Sequence, residues 1–233
     1  MEKVGFLGAY DKCDMILNIA KVLQTIGKKV LIIDATTIQK SRYIVPSISP
    51  TYKYVTSFEE FDVAVGFENI DEVFDYLGLD DEEIKEEYDI VLIDCDNKQN
   101  RKYFKIDEAE TKYFVTAFDN YSIKRGLEIF DEEDRNIHLR KILYSKTMSK
   151  EENDYLNFLA SKLDIQWEKQ NIYFPIENGD LTAVMENQRV SKIKFKKLSG
   201  EYKANIEYLV AEIAKDCKQN IIYKVIKNLE RGI

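Results

Sequence analysis

Residues 4–34, VGFLGAYDKCDMILNIAKVLQTIGKKVLIID, decide the fold. The stretch opens on a short apolar run, Val4-Gly5-Phe6-Leu7, suited to a buried strand. Residues 13–26 then place Ile16, Ile19, Ala20, Leu23 and Ile26 on one helical face, and Gly27 follows as a helix stop. Val30-Leu31-Ile32-Ile33 is a second apolar run, ending at Asp34. Both strands are continuous in apolar character, as strands buried on both faces of a parallel sheet must be. The stretch is therefore a β-α-β unit.

The same grammar continues outward. Ile90 to Ile93 reads as a strand ending at Asp94, Tyr113 to Val115 as another, followed by a helix from Tyr121 to Phe130. Leu139 to Tyr144 is a strand followed by a helix near 149–163, and Ile172 to Phe174 is a last short strand before Pro175. Helices near 201–216 and 219–230 close the chain. Alternation of this kind predicts a doubly wound, mostly parallel α/β sheet with helices on both faces. One domain is expected over residues 1–233, with a helical tail over 219–233. Residues 41–67 break the pattern, and Pro46 and Pro50 point to an edge or a loop, with a hairpin or edge addition expected there.

Composition narrows the chemistry. The 233 residues are 45% apolar and 33% charged, which excludes a disordered chain, and no apolar run is long enough for a transmembrane helix. The N-terminal residues lack the apolar stretch of a secretion signal, so a cytoplasmic location is expected. Three scattered cysteines, Cys13, Cys95 and Cys217, argue against disulfides or a zinc site, and the one histidine, His138, argues against His-based metal sites and triads; no metal site is expected. Cys95 is flanked by Asp94 and Asp96, which opposes thiolate formation. A net charge of -8 opposes general coating of nucleic acid. Charge is unevenly spread: Lys85 is the one lysine between Glu59 and Asp89, whereas Arg189 to Lys203 is mostly basic.

In an open α/β sheet the ligand sits beyond the carboxyl ends of the strands. Three features meet there: the turn Gly8-Ala9-Tyr10-Asp11-Lys12-Cys13-Asp14, followed by Asn18-Ile19-Ala20, then Asp34, then Asp94. This turn resembles the deviant phosphate loop K-G-G-x-G-K-[ST]-[ST], with N-[LI]-A further along the helix, of the MinD/ParA-like (SIMIBI-class) P-loop ATPases. On that alignment Lys12 falls on the loop lysine and Gly8 on a loop glycine. Tyr88 to Asp94 resembles the family's Walker B strand, Ile172 to Pro175 its "I-P" strand end, Asp180 to Glu186 the short helix after it, and Tyr208 to Ile213 its closing helix. The resemblance spans most of the chain and implies a three-layer MinD/ParA-like fold.

The departures lie at the loop. The family's signature lysine falls on Leu7, loop glycines fall on Ala9 and Asp11, the magnesium-binding hydroxyl falls on Cys13, and an expected aspartate falls on Thr36. An Asp11 carboxylate about 4 Å from a phosphate repels it by roughly 4 kcal/mol at an effective dielectric near 20, about a thousandfold in affinity. A thiol does not replace a hydroxyl on a hard cation. The candidate nucleotide-binding residues are therefore Gly8, Asp11, Lys12, Cys13, Asp34 and Asp94, with no catalytic residue and no tightly bound cofactor expected; ATP or ADP with magnesium would bind weakly.

The resemblance implies a pseudo-ATPase acting as a localisation or assembly scaffold, similar in its altered loop to the TadZ/CpaE group of pilus-assembly proteins. Its implied partners are a second copy in a homodimer and the proteins of a localisation or secretion machine. Two alternatives stay open: a slow nucleotide-switched ATPase in partitioning or division-site placement, and a DNA-associated partitioning protein using the Arg189–Lys203 stretch. Ile222, Val225, Ile226 and Leu229 share one face of the basic tail, a candidate for dimer contact or for peripheral contact with the inner face of the plasma membrane.

Overall fold

The computed structural model describes residues 1–46, 52–80 and 82–232. Strands β1 (Glu2–Leu7), β2 (Val30–Ala35) and β5 (Ile90–Cys95) lie side by side at its centre. The full order is β3-β4-β2-β5-β1-β6-β7-β8, with β9 (Ile172–Tyr173) also pairing β7. Here β3 is Tyr54–Phe58, β4 Phe61–Val65, β6 Thr111–Thr116, β7 Ile137–Leu143 and β8 Ile165–Trp167. All pairings are parallel except β3 with β4.

Continuous apolar strands require cover on both faces, and each face has its own core. On one side Ile16, Ile19 and Leu23 of α1 (Cys13–Thr25) pack with Phe6, Ile32 and Leu92. The helices α7 (Asn178–Arg189), α8 (Gly200–Ile213) and α9 (Gln219–Arg231) share that core. On the other side Leu7, Ile33 and Ile93 meet α2 (Ile70–Leu77), α3 (Glu83–Glu87), α5 (Asn120–Leu127) and α6 (Lys150–Leu159), with α4 (Lys98–Tyr103) leading into Phe104. The result is the doubly wound three-layer sheet that the strand pattern predicts.

Residues 41–67 contain the expected edge addition. The β3–β4 hairpin puts β3 at the margin while β4 pairs with β2, so one strand of the hairpin is interior. Pro46 is exposed just before it, and Pro50 lies outside the described residues. The tail forms α9 as expected, and it contacts α8 and α1. Ile222 and Ile226 are buried in the first core, with Val225 and Leu229 half-buried against it. Its apolar face is thus covered by the domain's own helices.

Candidate functional site

Parallel pairing sets Asp34 opposite Asp94 across β2 and β5, and Phe6 opposite Asp94 across β1. The ends of three strands therefore deliver Gly8, Asp34 and Asp94 to one rim. Gly8 must be glycine: its φ is +150° and a Cβ there would stand 2.0 Å from the carbonyl oxygen of Val115. The loop of residues 8–12 then turns directly into α1.

Lys12 reaches back into that turn. Its Nζ donates to the Gly8 carbonyl at 2.8 Å and lies 2.6 Å from Asp94 Oδ1, with both side chains buried. Burial pushes the Asp94 carboxyl up to about 7; Lys12 opposes that shift and Asp34 adds to it. Burial works against the Lys12 ammonium too, but Asp94, by charge and hydrogen bond, more than compensates and raises it.

The other loop residues find partners in the segment after β2. Asp34 accepts hydrogen bonds from the Thr36 amide (3.1 Å), the Thr36 hydroxyl (2.5 Å) and the Ser41 amide (2.9 Å). Ser41 Oγ in turn lies 3.3 Å from Cys13 Sγ. Lys40 brings its Nζ to 2.5 Å from Asp11 Oδ2 and 2.8 Å from Asp14 Oδ2. Burial opposes its charge, but Asp14 and Asp11 outweigh that and raise its pKa. Asp11 also accepts from the Cys13 amide at 3.2 Å, and Gln188 on α7 donates to Asp14 at 2.8 Å. Burial, with Asp34 and Asp14 adding, drives the Cys13 thiol well above the ordinary range. Burial likewise pushes Cys95 up to about 12, so neither thiol is a ready nucleophile.

An aromatic row fixes the loop tip. Tyr10 packs on Tyr144 at 4.3 Å between ring centroids, Tyr144 on Phe174 at 5.4 Å, and Phe174 on Tyr202 at 4.9 Å. Asn18 donates to the Tyr202 hydroxyl at 3.4 Å and to the Asp14 carbonyl at 2.7 Å. The cavity at the loop, lined by Tyr10, Asp11, Lys12, Cys13, Lys40 and Asp94 among others, is about 130 Å³. Ligand pockets are ordinarily about 300–1,000 Å³. A larger cleft of about 940 Å³ opens beside it, lined by Arg42, Tyr43, Tyr52, Lys98, Tyr103 and Arg125 among others.

The structure thus brings together at one rim Gly8, Asp11, Lys12, Cys13, Asp34 and Asp94, the six candidate nucleotide-binding residues. It places the tail residues Ile222, Val225, Ile226 and Leu229 elsewhere, under α8 and α1. Sequence reasoning missed Lys40, Ser41 and Gln188, the partners of Asp11, Cys13 and Asp14. The one signal in the sequence was the pair of neighbouring acids Asp11 and Asp14, and a signal of that kind names no partner. Among the described residues no group of three or more His, Cys, Asp or Glu side chains is placed to hold a metal ion. Among them, too, no helix is long and apolar enough to cross a membrane.

No protein-family model matches the chain, and neither does any curated protein. Solved structures do match it in fold. A ParA family ATPase from Chlorobium tepidum TLS is 12% identical with a TM-score of 0.52, covering 100% of this chain and 99% of that one. A putative plasmid partition protein from Borrelia burgdorferi B31, bound to AMPPNP, is 11% identical with a TM-score of 0.51, covering 97% and 98%. Apo McdA from Cyanthece is 10% identical with a TM-score of 0.51, covering 98% and 99%. At these identities the likeness is one of architecture, and the chain has the MinD/ParA-like α/β fold.

Proposed function

We infer that this chain is a pseudo-ATPase of MinD/ParA-like fold that serves as a localisation or assembly scaffold, such as one for pilus or secretion machinery. One observation carries this reading. The Lys40 ammonium sits between Asp11 and Asp14 at the loop mouth while the Lys12 ammonium is engaged by Asp94. In a working phosphate loop, backbone amides and the loop lysine face an anion. Here the acids face a lysine of the same chain, and Cys13 offers sulfur to Ser41 where a magnesium ion needs oxygen. The residues present do not fit a magnesium nucleotide. Scaffolding would then proceed through a homodimer and through docking of the machine's other proteins. The tail supports this as an internal brace, since contact with a lipid surface would require α9 to leave its core.

A slow ATPase is the competing reading. It draws on the survival of Lys12, Asp34 and Asp94 at one rim, and on the AMPPNP bound by the similar partition protein. Titration calorimetry of the whole chain with ATP and magnesium separates the two. The scaffold reading expects no heat of binding at micromolar ligand and no phosphate release. Micromolar affinity with turnover sinks it.

A further inference from the structure

The two helical layers carry opposite charge. On the layer of α1, α7, α8 and α9, the segment from the end of α7 to Lys197 presents Arg189, Lys192, Lys194 and Lys196, all exposed. Among the described residues none of the four has a carboxylate within ion-pair distance; their neighbour Lys197 pairs with Glu186 at 2.6 Å. The backbone beneath them is fixed. Asn187 donates to the Lys194 carbonyl at 3.0 Å, the Ile193 amide donates to Glu59 at 3.2 Å, and Phe195 and Leu198 are buried. Near the cations α7 also exposes apolar side chains. Leu181 and Met185, one helical turn apart, are 46% and 57% exposed, and Val190 at the helix end is 46% exposed.

The opposite layer presents the complement. Asp75 on α2, with Glu82 and Glu86 at α3, is exposed, and none of these three has a cation within ion-pair distance among the described residues. Tyr76 stands beside Asp75, 51% exposed, its ring edge-on to Phe67 at 5.3 Å. Ile70, Val73, Phe74 and Ile84 root both helices in the second core, so this surface is also fixed.

We propose that the basic α7 surface of one copy docks on the acidic α2–α3 surface of the next, so that the chain self-associates head to tail. Each surface has an apolar centre beside charge, the anatomy of a specific interface. A second copy is the one partner whose complementary surface is present in the chain itself, in equal number. The two surfaces are rooted in cores on opposite faces of the sheet, and one basic–acidic contact leaves a free surface of each sign on the pair. The contact is therefore heterologous and continues from copy to copy. It does not depend on whether the phosphate loop binds nucleotide. Exposed ion pairs are individually weak and screened by salt, so assembly is expected to be reversible and salt-sensitive.

Sedimentation velocity of the full chain across a concentration series, at about 50 mM and about 500 mM salt, reads the assembly directly. The expected result is a sedimentation coefficient that climbs with concentration in low salt and stops climbing in high salt. Two charge-reversed proteins carry the decisive test: Lys192→Glu with Lys194→Glu and Lys196→Glu, and Asp75→Lys with Glu82→Lys and Glu86→Lys. Each alone should stop growing at or below a dimer, and an equimolar mixture should recover growth beyond it, which also proves that both are folded. The proposal is overturned by a wild-type chain that does not associate in low salt. It is equally overturned if either variant alone still grows beyond a dimer, or if the mixture does not while both variants keep native circular dichroism. Loss of binding to duplex DNA or to phosphatidylglycerol vesicles in the lysine variant, with self-association unchanged, would give the basic surface to another partner and also overturn it.

Discussion

Asp11 and Asp14 stand at the mouth of the loop, where two carboxylates repel each other and any phosphate, and Lys40 answers both with one ammonium. Replacing Lys40 with Ala should cost about 1–2 kcal/mol of stability, above an ordinary surface pair because the group is partly buried. A double-mutant cycle with Asp14→Asn, followed by urea unfolding, should recover part of that cost as coupling. Additive losses would mean that the pair contributes nothing of its own. Asp94 makes a pH prediction. Its carboxyl titrates near 7 in the folded chain, far above an unfolded aspartate, because it is buried. The folded state therefore binds the extra proton between about pH 4 and pH 7, and wild-type stability from this group falls as pH rises through that window. Asp94→Asn removes this carboxyl and leaves the buried Lys12 ammonium without its partner, which also favours the variant as pH rises, so its stability relative to wild type should improve from pH 4.5 to pH 8. A difference that is flat with pH would contradict the assignment. The convergence of Gly8, Lys12, Asp34 and Asp94 was legible in sequence because strand ends of a parallel sheet share a rim. Lys40, Ser41 and Gln188 were not, because they come from a loop and a distant helix with no periodicity to align them.

At the scale of elements, long apolar patterns were readable and short polar ones were not. β1, α1, β2 and β5 fall where their apolar runs lie, and α8 and α9 where their helical faces do. The helix α2 escaped notice within an acidic run, although Asn69 caps it by accepting from the Glu72 amide and Gly78 ends it with φ +68°. α3 and α4 span fewer than two turns, and β8 has three residues, too few to show a period. The tail shows what an amphipathic pattern alone leaves open, because a face of Ile222, Val225, Ile226 and Leu229 suits a membrane and a neighbouring helix equally. The chain supplies the neighbour. Ile226→Ala should therefore destabilise the whole domain by about 2–5 kcal/mol, as truncation in a packed core does. Urea denaturation checks it, and a loss below about 0.5 kcal/mol would mean that α9 is not part of the folding unit.

For the whole molecule, the architecture is similar over nearly the full chain to a ParA family ATPase and a plasmid partition protein, while at the loop Lys12 pairs with Asp94 and Lys40 with Asp11. Architecture alone does not carry an activity. Any ligand that bound the folded loop would stabilise the folded chain by mass action. A ligand at a hundredfold excess over its dissociation constant adds about 2.7 kcal/mol. In a domain of this size, that amounts to roughly 5–10 °C in melting temperature. Millimolar ATP with magnesium should leave the midpoint within about 1 °C of the free protein, since an unfilled site contributes nothing. The same scan on a chain with Asp11→Gly and Lys40→Ala tests the cause. If the Asp11–Lys40 pair is what keeps nucleotide out, removing both should produce a measurable upward shift, with Lys12 leaving Asp94 to meet the phosphates. A wild-type midpoint that rises by several degrees would return the loop to ordinary nucleotide binding. An unmoved midpoint in the double variant, with the fold intact, would place the defect in Cys13 and the missing loop glycines rather than in the Lys40 clamp.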